Sequence, residues 1–89
     1  GAIMTIREIA DEVAWASGIP VDVILSDSRK RQHVALRRII MFRAHMEGLS
    51  CAKIGRAMLM DHSTVIEGLR VERAARAKME KENDHDDED

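Results

Sequence analysis

Four consecutive residues, Asp61-His62-Ser63-Thr64, offer a carboxylate, an imidazole and two hydroxyls where a helix is expected to begin. Short polar side chains at that point cap the free N–H groups of a first turn, with the positive end of the helix dipole behind them. Ahead of them, Ile54-Gly55-Arg56-Ala57-Met58 reads as a short helix and Leu59-Met60 as a tight turn. Behind them, Val65 and Ile66 start an apolar helical face. A helix that enters a nucleic-acid groove end-on needs compact donors and acceptors at its tip, close to base edges and phosphates. The spacing predicts a helix-turn-helix of the DNA-binding kind. Capping alone is the plainer role for the same residues, and the two roles are compatible.

Charge supports an anionic partner once it is read by segment. The net charge of the 89 residues is −2, but residues 28–78 hold twelve Lys/Arg against four Asp/Glu, a net +8. Residues 80–89 hold seven acids and Lys81, a net −6. A basic body with an acidic tail follows, and the basic part suits a polyanion. The cluster Arg29-Lys30-Arg31 lies in a stretch, Ser26–Gln32, that breaks the apolar pattern and reads as a basic loop.

The elements that must position these groups are helices throughout. Thr5 and Glu8 have capping-box spacing, and Ile6, Ile9, Ala10 and Val13 follow on one helical face. Gly18 suits the left-handed position past the end of that helix. Pro20 suits the first turn of a short helix, Val21–Leu25. After the basic loop, a third helix from about His33 to Glu47 carries Val34, Leu36, Ile39, Ile40 and Met46 among Arg37, Arg38 and Arg43, with Gly48 as its stop. Ser50 caps Cys51–Met58, whose inward face is Ile54, Ala57 and Met58. The last helix starts near His62–Ser63, buries Val65, Ile66 and Leu69, and runs to about Met79. With one Trp, one Phe and no Tyr, the core falls to aliphatic residues and Met, and Trp15 is assigned to it or its margin, with partner binding as the lesser alternative. Residues 1–4 are set apart as an N-terminus in which Gly1-Ala2-Ile3 looks like a cloning remnant. Residues 5–79 form the single domain, and residues 80–89 a tail too charged and apolar-poor to pack, expected to be disordered.

On these residues the chain resembles a known family. The run Ile54-Gly55, Met58 and Asp61-His62-Ser63-Thr64-Val65-Ile66 is similar to the signature of the C-terminal DNA-binding domain of the bacterial replication initiator DnaA. Upstream, the first helix, Ile19-Pro20-Val21, Leu25-Ser26, the basic loop and the Arg-bearing helix continue the likeness over residues 5–78. The resemblance implies an all-α fold, a compact bundle of five to six helices containing a helix-turn-helix of the Trp-repressor-like kind. It further implies sequence-specific recognition of double-stranded DNA by a monomeric unit. Asp61, His62, Ser63 and Thr64 would then face bases and phosphates in the major groove. Arg29, or Arg31 in the alternative register, would reach into the minor groove with Lys30 beside it. Arg37 and Arg38 would contact backbone and one base, and Lys53 would approach a phosphate.

The chain departs from that family at several points. Leu59 and Met60 stand where a small or polar residue and then Lys or Arg are usual, which removes one DNA-facing charge. Gly68 occupies a place usually held by Ala or Ser, and Arg38 one where the initiator often has Gln. No phosphate-binding Gly-x-x-x-x-Gly-Lys-Ser/Thr loop of the initiator's ATPase module is present. These departures favour a DnaA-like domain reused in a bacterial or phage transcriptional regulator or activator. The alternatives are an excised initiator domain, or a protein-interaction module for polymerase or replication factors in which Leu59 and Met60 form an apolar patch.

No other chemistry is spelled out. His33, His45 and His62 form no i, i+4 metal pair, and the His85 cluster lacks metal-ligand spacing, so neither metal nor cofactor is expected. Neither paired catalytic carboxylates nor a Ser/His/Asp set can be argued, so no enzyme is expected. A lone Cys51 cannot form an internal disulfide and fits a small half-buried residue in a reducing cytoplasm, here the bacterial nucleoid. No apolar run is long enough to span a membrane.

Overall fold

The computed structural model describes residues 4–87, with side chains described through Lys81. Five helices follow in order: α1 (Ile6–Ser17), α2 (Val21–Ile24), α3 (Arg31–Met46), α4 (Cys51–Met58) and α5 (His62–Asp87). The described residues contain no strand. The all-α expectation therefore holds.

Local chemistry sets the helix ends. Thr5 Oγ1 accepts from the Glu8 N–H at 3.1 Å while Glu8 Oε1 accepts from the Thr5 N–H at 3.0 Å, so both arms of the capping box are made. Those hydrogen bonds to Thr5 lower the Glu8 carboxyl pKa from its ordinary value. Gly18 closes α1 at φ 76°, its N–H donating to the Ala14 carbonyl. Ser50 Oγ accepts from the Lys53 N–H at 3.2 Å and starts α4 as its position predicts.

The third helix is the hub: α3 packs against each of α1, α2, α4 and α5, while α4 also packs on α5 and α1 on α2. At the centre, Ile9, Ile24, Ile40, Ile54 and Val65 place one fully buried β-branched side chain from each helix in a shared core. Aliphatic packing of this kind stabilises the bundle by about 1.5–3 kcal/mol per buried side chain. Met4 also packs against this core. The cloning-remnant reading of residues 1–3 lies outside the described residues.

Several expectations need correction. Trp15 is 91% exposed. The α1 stripe that faces the core is Ile6, Ile9, Ala10 and Val13, and at 100° per residue position 15 falls on the opposite side. Ile66 is 51% exposed for the same geometric reason, since Val65, Gly68 and Leu69 take the inward face of α5. On α4 it is Gly55, not Ala57, that is buried with Ile54 and Met58. α3 starts at Arg31, two residues earlier than expected, because Lys30 is already extended and Arg31-Gln32 are good helix formers. α2 ends at Ile24, with Leu25 as its cap.

The longest helix also outruns its expected end near Met79 and continues to Asp87. The expected tail, residues 80–89, is thus helical in its backbone as far as Asp87, and residues 88–89 lie outside the described residues. Residues 72–81 are rich in Ala, Arg, Lys and Glu, which favour helix, and the helix runs on from them into the acidic segment.

Candidate nucleic-acid interface

Two loops flank the first turn of α5, and each is held in a different way. The basic loop between α2 and α3 is held by hydrogen bonds. Arg37, only 8% exposed, donates from Nη1 to the carbonyls of Ile24 and Ser26, both at 2.9 Å, and from Nη2 to that of Ser28. Burial lowers its pKa, and the nearby Asp27 opposes that shift in part. Serines complete the brace. Ser26 Oγ donates to the Val23 carbonyl at 2.6 Å, and accepts from the Ser28 N–H. Ser28 Oγ accepts from the Lys30 N–H and lies 2.8 Å from His33 Nδ1. The chain is thereby pinned on both sides of Arg29, whose side chain is exposed together with those of Lys30 and Arg31.

Arg37 has a role within the fold. Its guanidinium faces three backbone carbonyls of its own chain and builds the loop. Arg38, its neighbour, is half-buried, and both arginines line a groove of about 460 Å³ between α3 and α5 together with Met41, Met60, Ser63 and Thr64.

The turn between α4 and α5 is set by close backbone contact. The Met60 N–H donates to the Gly55 carbonyl at 2.7 Å, and a Cβ added to Gly55 would stand 2.7 Å from the Met60 carbonyl oxygen and 3.4 Å from the His62 nitrogen. Only a residue without a side chain lets the turn lie this close. Leu59 caps α4 at φ 57°, a left-handed conformation that costs an L-residue about 1–2 kcal/mol, and its side chain is 93% exposed. Met60, by contrast, is half-buried against the core, so the apolar patch expected of the pair is Leu59 alone.

α5 opens with Asp61, His62, Ser63 and Thr64 all exposed. The Asp61 carbonyl accepts from the Thr64 N–H at 3.0 Å, and Asp61 Oδ1 lies 3.3 Å from His62 Nδ1. Among the described residues no side chain hydrogen-bonds to this first turn, while the Val65 N–H also donates to the Asp61 carbonyl. Capping alone therefore does not account for the polar run. One helical turn on, the same outward face carries Ile66 and then Arg70, whose guanidinium pairs with Glu67. Their i, i+3 and i+7 spacing from Ser63 was present in the sequence, and sequence reasoning missed Arg70 by assigning Ile66 to the core. Lys53 and Arg56 are exposed on α4, Lys53 in its first turn.

Gly68 has a structural reason as well. A Cβ there would stand 2.7 Å from Met41 Sδ and 3.6 Å from Arg38 Cγ, so the missing side chain lets α5 approach α3 closely.

A short capped helix, a turn closed on a glycine and a second helix with an open polar tip define a helix-turn-helix domain, set in an all-helical bundle beside a braced basic loop. The profile of the family described as bacterial dnaA protein helix-turn-helix matches residues 6–71, most of the chain, and the chain belongs to that family. Membership of this DNA-binding family points to DNA as its partner, and the family's domain is not a catalytic one. No curated protein and no solved structure matches the chain. No helix among the described residues is long and apolar enough to cross a membrane, and no cluster of metal-ligating side chains occurs among them.

Proposed function

We propose that the domain binds double-stranded DNA sequence-selectively, as a monomeric unit in a bacterial or phage transcriptional regulator. The observation that carries this reading is the open first turn of α5, with four exposed polar side chains, next to a loop braced so that Arg29 projects. Asp61, His62, Ser63 and Thr64 would enter the major groove, and Arg38 and Lys53 would flank it. Arg29, with Lys30 and Arg31 beside it, would lie in a neighbouring minor groove, where a narrow A·T-rich segment gives the more negative potential. Arg37 acts at one remove, by fixing the loop.

Arg29→Ala and His62→Ala each lower affinity for a selected duplex about tenfold, while thermal unfolding stays within a few degrees of the wild type, as exposed side chains allow. About six phosphate contacts give a slope near −5 for log K against log salt. Unchanged affinity in both variants contradicts the assigned surface. Leu59 supports a second reading: a large, fully exposed aliphatic side chain beside the motif suits a protein partner such as polymerase or a replication factor. Selection of duplexes from a random pool separates the two, since a module without base readout enriches nothing.

A further inference from the structure

The surface of α1 that points away from the core is chemically distinct from the rest of the domain. Residues 4–27 hold five acids and one Arg, the reverse of the basic body that follows. On α1 the outward stripe is Glu8, Asp11 and Trp15, at i, i+3 and i+7, and all three are exposed. The indole is 91% exposed, and it is the chain's one Trp. Burying a Trp removes roughly 150–250 Å² from water, so a helix that ends an acidic stripe in a bare indole is a ready surface for a cationic, small-residue partner.

The same chain carries that complement. On the outward face of α5, Arg70, Arg73, Ala74, Ala77, Lys78 and Lys81 follow one another at helical spacing, and all are exposed. Arg73 to Lys81 lie about 16–28 Å along the helix from His62, at 1.5 Å per residue, clear of the polar tip. The two alanines put only methyl groups between the cations, and Arg73, Lys78 and Lys81 are opposite in sign to Glu8 and Asp11, of which Asp11 also lies 3.7 Å from Arg7.

We propose that two copies of this chain associate head to tail, the Trp15 stripe of one on the Arg73–Lys81 stripe of the next. In a head-to-tail contact each copy keeps one surface of each kind unused, so a third copy can add. The contact is small and salt-sensitive, hence weak between free copies. Two copies held on neighbouring stretches of one duplex meet at millimolar effective concentration, where such a contact yields cooperative occupancy. That last consequence rests on the DNA-binding reading, but the contact does not, and the test omits DNA.

The test uses the full chain at low salt with isotope labelling. Concentrating the wild type shifts the Trp15 indole N–H and the amides of residues 70–81 together, and added salt reverses the shift. Trp15→Ala has an intact basic stripe only. The double variant Arg73→Glu, Lys81→Glu has an intact Trp stripe only. Each alone self-associates at least tenfold more weakly than the wild type, while their mixture forms a one-to-one dimer with the indole shift restored. All three positions are exposed, and unchanged circular dichroism confirms the fold. Overturning results are a wild type whose spectrum is independent of concentration, or variants that fail to complement each other in the mixture.

Discussion

The two loops beside the first turn of α5 hold their shapes by opposite means. The basic loop needs a large buried cation: Arg37 gathers the carbonyls of Ile24, Ser26 and Ser28 on one guanidinium. The helix-turn-helix turn needs the absence of a group: Gly55 leaves room for the Met60 carbonyl and the His62 backbone. A clamp of hydrogen bonds fails when one side chain is removed, whereas a close contact fails when one methyl is added. The lesson is that neighbours alike in sequence can differ in setting, as the buried Arg37 differs from the half-buried Arg38.

Substitutions can break that comparison, from the largest effect down. Arg37→Met keeps the stem and deletes the guanidinium, leaving the carbonyls of Ile24, Ser26 and Ser28 without their donor. Its expected cost is about 2–4 kcal/mol in chemical denaturation. The amides of residues 26–30 should also exchange faster than the rest of the domain. Wild-type stability and exchange in this variant would show that the loop stands without its clamp. Gly55→Ala forces the turn away from α4 and costs about 1–3 kcal/mol by the same assay. Gly68→Ala provides a contrast. Its clash is with the side chain of Met41, which can move, and the gain in helix propensity of about 1 kcal/mol offsets part of the strain. It should therefore cost less than Gly55→Ala.

Leu59→Gly sharpens the account of the turn in the other direction. Relief of the left-handed strain should raise stability by about 1 kcal/mol, measured as a higher melting temperature, because the exposed leucine makes little packing to lose.

The smallest expected effect is at the far end of the domain. The Glu8 carboxyl has its pKa lowered in the folded chain by its hydrogen bonds to Thr5. The unfolded chain therefore binds the proton more readily. The contribution is complete above the ordinary carboxylate pKa and fades as pH falls through the lowered folded value. Thr5→Ala should cost about 1 kcal/mol at neutral pH. The difference between wild type and variant should narrow on acidification, as read from melting curves across the acid range.

Much of the helical plan was legible because punctuation and periodicity agree. Thr5 with Glu8, Gly18, Ser50 and Gly48 mark ends that the structure places within a residue or two. The core stripe of α1 followed from spacing alone. Trp15 and Ile66 were misassigned because a large apolar side chain was weighed by its type, when its angular position decided the matter. The loop-building role of Arg37 was not legible, because burial of its guanidinium depends on carbonyls of residues 24–28, a tertiary arrangement that no local pattern encodes. The length of α5 was underestimated because low hydrophobicity argues against packing and says little about backbone helicity.

The central claim is that the braced loop and the tip of α5 form one surface that reads duplex DNA from two sides. It is tested most directly by recording amide shifts while a selected duplex is added to the labelled chain. The account predicts that shifts cluster at residues 28–31 and 61–64 and saturate at one chain per site, with residues 8–15 unaffected at that stoichiometry. A titration that leaves residues 28–31 and 61–64 unmoved, or moves only residues 8–15, contradicts it.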